Sequence, residues 1–408
     1  GTDWLVQPRL DVTGDMTVTA DARTAKPVDI TVPDSAAKPT WVAPRYWYAG
    51  EDFNIETGVD VDTFDSLRTA HLGPEVTTGA LNQQWLGVWQ KGTHAEYDVM
   101  LGGKVGMGAS APGKQGRLFV AGYFPELGGI SPITDPQDLP RTRTVHLSTP
   151  DNTEWELAFE QNGTPDEEGT APTESFHTFD EPRTFKGGAM YETRFNAGVL
   201  GPRLSGAEGI SRDGDTITGE LPLHADDAGH GGWTRYSAVT TTLYRNGVKL
   251  TENSDALDGN GEGFTVPSDA ADYRLTTSVR RDPTVATTST RVDASWTFRS
   301  AKTTTRTQLP ISTARFTPDT DLTSRAPADK KAVVPVTIQG AASGNNLKSL
   351  AVYVSYDGGT TWKKTPVKNG TITVKNPPKT KSIAFRANIT DKQGNRSSVT
   401  VYDAYFGK

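Results

Sequence analysis

The chain has no cysteine among its 408 residues, which removes thiolate nucleophiles, zinc held on sulfur and disulfide staples from the chemistry open to it. Stability must then come from burial, and this length allows about two to four domains of roughly 100–200 residues each. No apolar run approaches the roughly 18 residues of a membrane span, and no charged-then-apolar leader opens the chain. For an exported protein the leader is expected upstream of Gly1. No stretch has the period of a helix. The net charge of −7 is not that of a protein neutralising phosphates with clustered Lys and Arg, so nucleic acid is not expected as a partner.

Catalytic signatures are missing too. Serine hydrolysis needs a nucleophile beside a base that a third group orients. No G-x-S-x-G occurs: Gly108-Ala109-Ser110-Ala111-Pro112 fails at its last position, and Gly229-His230-Gly231-Gly232 has no Asp-Thr-Gly or Gly-Thr-Ser companion. Paired carboxylates for glycoside hydrolysis stay open, because their separation of roughly 5–10 Å is a property of the fold. No catalytic residue is assigned.

What is present is a β composition, with 41 Gly and 26 Pro punctuating runs rich in Thr and Val. Residues 273–299 are the clearest case. Leu275, Thr277 and Val279 alternate with polar neighbours, as do Val292, Ala294, Trp296 and Phe298, the period of strands with one buried face. The Thr/Lys/Arg run 300–308 that follows reads as a linker. The fold class expected is all-β, with several β-sandwich domains of which the last two are immunoglobulin- or fibronectin-III-like.

Four segments follow from the turn signals. Residues 1–33, with alternating runs at Leu10/Val12, Met16/Val18/Ala20 and Val28/Ile30/Val32, read as terminal strands of a small upstream β domain. Residues 34–205 read as an aromatic-rich sandwich holding Trp41, Trp47, Trp85, Trp89 and Trp155, with a turn at Pro150-Asp151-Asn152 and an exposed loop over 162–173. Five Trp in one β domain are more often core than sugar platform. Residues 206–306 and 307–408 are the last two sandwiches, the first marked by Asp213-Gly214 and the hairpin Tyr244-Arg245-Asn246-Gly247-Val248.

Several polar constellations stand out. Ser355-Tyr356-Asp357-Gly358-Gly359-Thr360-Thr361-Trp362 matches the Asp-box turn, and Asp391-Lys392-Gln393-Gly394-Asn395 a second tight turn. His224-Ala225-Asp226-Asp227-Ala228-Gly229-His230 and Asp255-Ala256-Leu257-Asp258-Gly259-Asn260-Gly261-Glu262 read as a solvated loop and a flexible acidic turn. The alternative is a cation site, since calcium wants about six to eight oxygens, with Asp226, Asp227, Asp255 and Asp258 as the candidate ligands. No other cofactor is expected.

Pro8-Arg9-Leu10, the stretch Asp21-Ala22-Arg23-Thr24-Ala25-Lys26-Pro27-Val28, Tyr273-Arg274-Leu275-Thr276, Ser295-Trp296-Thr297-Phe298-Arg299-Ser300 and Leu309-Pro310 before Phe316-Thr317-Pro318 together resemble the C-terminal β-rich region of large secreted bacterial subtilisin-like serine peptidases. The likeness is scattered along the whole chain. It implies a secreted, extracellular accessory region, not an enzyme by itself, that docks a peptidase catalytic domain or its protein substrate. The catalytic motifs of such peptidases are absent, so no site residue carries over. Two readings independent of the resemblance stay open: a free-standing carbohydrate-binding module, and a glycoside hydrolase using acids or a metal.

Overall fold

Alternation of apolar side chains does build strands along most of the chain. Strand makes up 54% and helix 3%, and every helical turn among the described residues is of the 3-10 type. The computed structural model describes residues 1–7, 10–49, 54–74, 81–92, 95–104, 120–124, 131–132, 144–148, 154–155, 158–163, 167, 172–178, 183–186 and 188–408. The segment 108–112, the turn 150–152 and most of the loop 162–173 lie outside them. Two compact units result. One comprises Gly1–Leu127, Thr142–Glu156 and Glu181–Thr193, the other Gly128–Arg141, Leu157–Asp180 and Arg194–Lys408.

The first unit is built on a seven-stranded sheet in the order Ala189–Met190, Val120–Phe124, Thr144–Ser148, Ala95–Lys104, Leu81–Lys91, Lys38–Ala49 and Asn54–Gly58. Its core joins Trp85, Trp89, Tyr97 and Val99 to Val42, Phe64 and Leu67, with Phe64 6.0 Å from Trp89 and 6.2 Å from Trp85 between ring centres. Residues 1–33 do not form the separate domain expected of them. Thr2–Val6 pairs with Leu67–His71, and Val28, Ile30 and Val32 lie buried in this same core. Residues 28–32 keep the burial period of a strand without joining a ladder. Residues 10–20 are neither strand nor core; all eleven are exposed.

In the second unit one large sheet runs in the order Val248–Asn253, Tyr236–Arg245, Ala271–Arg281, Arg291–Ser300, Arg396–Gly407, Ser382–Asp391, Leu347–Ser355 and Lys363–Thr365, and Arg325–Ala326 also pairs with the last strand of the chain. Two smaller sheets pack on it. Phe264–Thr265, Thr216–Glu220, Gly209–Asp213 and Thr307–Gln308 form one, and Ser312–Phe316, Lys331–Gly340 and Thr371–Lys375 the other. A single core runs through both sandwiches, from Ile210 and Leu275 to Phe316 and Phe385, the latter two stacked at 4.6 Å.

The expected hairpin at 273–299 is present, with Leu275 opposite Trp296. Trp296 is fully buried and its indole N–H donates to the Ser312 carbonyl at 2.9 Å. That satisfies the one polar atom of a side chain whose burial contributes at most on the order of 5 kcal/mol. The hand-over between separate sandwiches at 306/307 is not what forms. Arg291–Ser300 is a central strand, paired on its far side with Arg396–Gly407 from Trp296↔Ser397 to Arg291↔Tyr402, so the two sandwiches share a sheet. The supposed linker 300–308 is also tied down: Lys302 N–H bonds to Ser268 O at 2.9 Å, Arg306 reaches Glu220 at 2.6 Å, and Thr307–Gln308 joins a sheet. The Asn246-Gly247 turn forms as its sequence requires, with φ +49° and +82°, the left-handed pair that matches strand twist in a two-residue hairpin.

Candidate functional site

The loop 224–230 is largely buried: His224 and Asp226 are fully buried and His230 nearly so, Asp227 and Gly229 are half-buried and only Ala228 is exposed. The Asp226 carboxylate accepts the Asn196 N–H, the His230 N–H and the His230 imidazole Nδ1–H, each at 2.9 Å. Burial works to raise this carboxyl, but the His230 hydrogen bonds and neighbouring imidazoles prevail and hold it below the usual carboxylate range. Asp227 differs. Burial pushes its carboxyl up to about 6 against the opposing pull of Arg194, which stands 3.6 Å away.

The other two candidate ligands serve local turns. Asp255 accepts the Leu257 N–H at 2.7 Å and the exposed Asp258 the Asn260 N–H at 3.0 Å, the ordinary use of Asp in a tight turn. Among the described residues no three His, Asp or Glu side chains gather into a metal-holding group, so the pairs 226/227 and 255/258 are not brought together.

Around Asp226 the fold assembles a larger polar knot that spacing alone did not reveal. His224 Nε2 donates to the Ser289 carbonyl at 2.9 Å, which leaves Nδ1 to accept from the Tyr236 hydroxyl at 3.1 Å; the neutral ring satisfies both. His177, on strand Thr173–Thr178, lies 3.1 Å from the Ser175 hydroxyl through Nε2, while its Nδ1 has no hydrogen-bond partner among the described residues. Burial lowers His177 to about 4 and also holds His224 well below the ordinary imidazole value. Arg281 and Arg315 are both buried: Arg281 donates to the Thr234 hydroxyl and the Thr288 carbonyl, each at 3.2 Å, and to Asn196 Oδ1 at 3.5 Å, and Arg315 donates to the main-chain carbonyls of Gly201 at 2.6 Å, Ala225 at 3.0 Å and Asp226. Gly201 and Ala225 already exchange their main-chain hydrogen bonds in an isolated bridge, so Arg315 adds a second donor to each of those carbonyls. The knot is therefore sealed, and the Ser175–His177 contact sits where neither side chain reaches solvent.

The two expected turns form. Asp357 accepts the Thr361 N–H at 2.9 Å and the Ser355 and Thr361 hydroxyls at 2.7 and 2.5 Å, hydrogen bonds that lower its carboxyl to about 2. Trp362 closes the turn through its indole N–H on Gly359 O at 2.9 Å, with the Arg386 guanidinium 4.0 Å above its ring. Asp391 accepts Asn395 N–H and amide Nδ2–H at 2.9 and 2.7 Å.

An open feature of this unit lies beside the Asp-box. A cleft of about 660 Å³ runs between Lys363–Thr365, the last strand of the large sheet, and Thr371–Lys375, the last strand of the three-stranded sheet. Val354 and Val374 line its floor, with Pro366 and Pro378 beside them. Tyr356 donates its hydroxyl to the Lys375 carbonyl at 2.6 Å, and Lys375 itself pairs with Asp329 at 2.7 Å. Lys363, Lys364 and Lys381 also line the cleft, and among the described residues they form no ion pair. The charge of the whole chain conceals this. Residues 307–408 hold 15 Lys and Arg against 6 Asp and Glu, a formal +9, while residues 1–306 hold 27 against 43, a formal −16.

The five tryptophans divide. Trp85 and Trp89 are core; Trp41 is exposed, its indole N–H on Asp60 at 3.0 Å; Trp155 is half-buried, and the Trp47 side chain lies outside the described residues. No protein-family model matches the sequence, and no curated protein matches it.

Proposed function

We propose that this chain is a non-catalytic docking region of a secreted, extracellular subtilisin-like serine peptidase, holding an extended polypeptide at the lysine-rimmed cleft. The observation that carries the reading is the cleft itself: two sheet-end strands, an apolar floor and amines without carboxylate partners. An extended chain can add to a sheet edge through its main-chain groups and place alternate side chains in the groove. The amines select for carboxylates. The polypeptide is the peptidase domain or its substrate, and the buried Asp226 knot offers no solvent-accessible base at that place.

The test is retention of reduced, carboxymethylated casein, an extended acidic polypeptide, on the immobilised chain, with cleavage followed in the same sample. Retention without cleavage, lost in Lys363→Glu/Lys364→Glu, supports the reading; cleavage, or retention indifferent to the charge reversal, overturns it.

A carbohydrate-binding reading has one observation in its favour. A trough of about 310 Å³ on the large sheet is lined by Thr240, Thr242, Thr276, Ser278, Ser295 and Thr400 beside Arg291 and Asp293, hydroxyls suited to sugar hydrogen bonding. Pull-down on insoluble polysaccharide, with loss in Asp293→Ala, decides for it.

A further inference from the structure

We infer that residues 10–21 of one copy supply the strand that fills the lysine-rimmed cleft of a second copy; this rests on reading that cleft as a site for an extended polypeptide. Two separate observations meet. The first is a strand without a sheet. Leu10, Val12, Met16 and Val18 are 45%, 69%, 50% and 46% exposed, although they alternate as a half-buried strand would. Asp11, Asp15 and Asp21 are interleaved with them and no Lys or Arg is present over 10–21. Asp21 already caps the 3-10 turn Ala22–Thr24 and pairs with Arg23 at 2.7 Å, so it anchors the end of the segment. Within 15–21, Met16, Val18 and Ala20 fall on one face and Thr17 and Thr19 on the other.

The second observation is the cleft, a groove bounded by two sheet-end strands with Val354 and Val374 on its floor and Lys363, Lys364 and Lys381 along it. A five-residue strand matches the length of Thr371–Lys375. Laid there, the segment places Met16 and Val18 over the valines, offers its main chain to an edge, and brings Asp15 to the lysines. Charge also selects the occupant. Two clefts meeting edge to edge would oppose lysine to lysine, which is destabilising, whereas an acidic alternating strand does not.

The experiment titrates the full chain with a fluorescent synthetic peptide of residues 10–21 and, in parallel, follows the sedimentation of the chain alone across concentration and salt. Saturable peptide binding is expected, with concentration-dependent association that weakens at high salt. Lys363→Glu/Lys364→Glu should weaken peptide binding by about tenfold or more, and a peptide with its three Asp replaced by Lys should bind that variant better than wild type. Val12→Asp/Val18→Asp in the exposed segment, where refolding is not at issue, should abolish self-association. No saturable binding to the wild type, or binding unchanged in the double Lys variant, overturns the inference. Retention of carboxymethylated casein separates the two levels: casein held with the peptide ignored sinks self-association alone, and neither held sinks the docking reading with it.

Discussion

Asp226→Ala tests whether the buried knot is a structural element. The substitution removes an acceptor of three hydrogen bonds, two from main-chain N–H groups and one from the His230 ring, all at 2.9 Å in a site without solvent. His230 can move its ring proton to Nε2 and escape; the two amides cannot. Each stranded buried donor costs about 1–3 kcal/mol, and two are stranded. The expected loss is therefore about 2–6 kcal/mol, which lowers the melting temperature of a unit of this size by roughly 10 °C. Differential scanning calorimetry of the full chain measures it, with the exposed Asp258→Ala as the comparison, expected within about 1 kcal/mol of wild type. An Asp226→Ala chain as stable as wild type refutes the argument. A more stable one would mark a site kept for activity at the expense of stability.

Three further outcomes follow from the same geometry. His177 titrates near 4 when folded against about 6.5 when unfolded, so the unfolded chain takes the proton first and the contribution, full above about pH 6.5, is lost as pH falls toward 4. It amounts to on the order of 3 kcal/mol, His224 acts in the same direction, and His177→Asn should flatten the pH dependence of the urea midpoint in that window. Asp227 acts oppositely, because its carboxyl is raised to about 6: the folded chain holds the proton longer, and the ionised group destabilises above that pH. Asp227→Asn should therefore be about 1–3 kcal/mol more stable than wild type near neutrality, the gain vanishing toward pH 4; a constant gain at both would contradict this origin. A fluorophosphonate serine probe should leave the chain unlabelled, and labelling at Ser175 would show that the knot opens.

Local chemistry was legible in the sequence where one residue type has one conformational use. Asn246-Gly247, the Asp357 turn and the Asp391–Asn395 turn all form as read, and the alternation through Leu275 and Trp296 marks a true hairpin. Non-local pairing was not legible. That Ala294 faces Val399 depends on strands about a hundred residues apart, and with that pairing the expected separation of 206–306 from 307–408 gives way to one shared sheet. Alternation likewise cannot say whether a ladder forms: Val28, Ile30 and Val32 bury their side chains without one, and residues 10–20 bury nothing. The His224–His230 loop was misjudged because polarity was taken for exposure, when Arg315 and main-chain amides satisfy it internally. The basic surplus of residues 307–408 was countable from the start and was hidden by averaging over an acidic chain.

The measurement that bears most directly on the docking account is amide hydrogen exchange of the full chain with and without carboxymethylated casein. The account predicts protection concentrated in Lys363–Thr365 and Thr371–Lys375, disappearing in Lys363→Glu/Lys364→Glu, with the trough lined by Thr240, Thr276 and Thr400 unchanged. Protection confined to that trough, or none at the two edge strands while casein is bound, would contradict it.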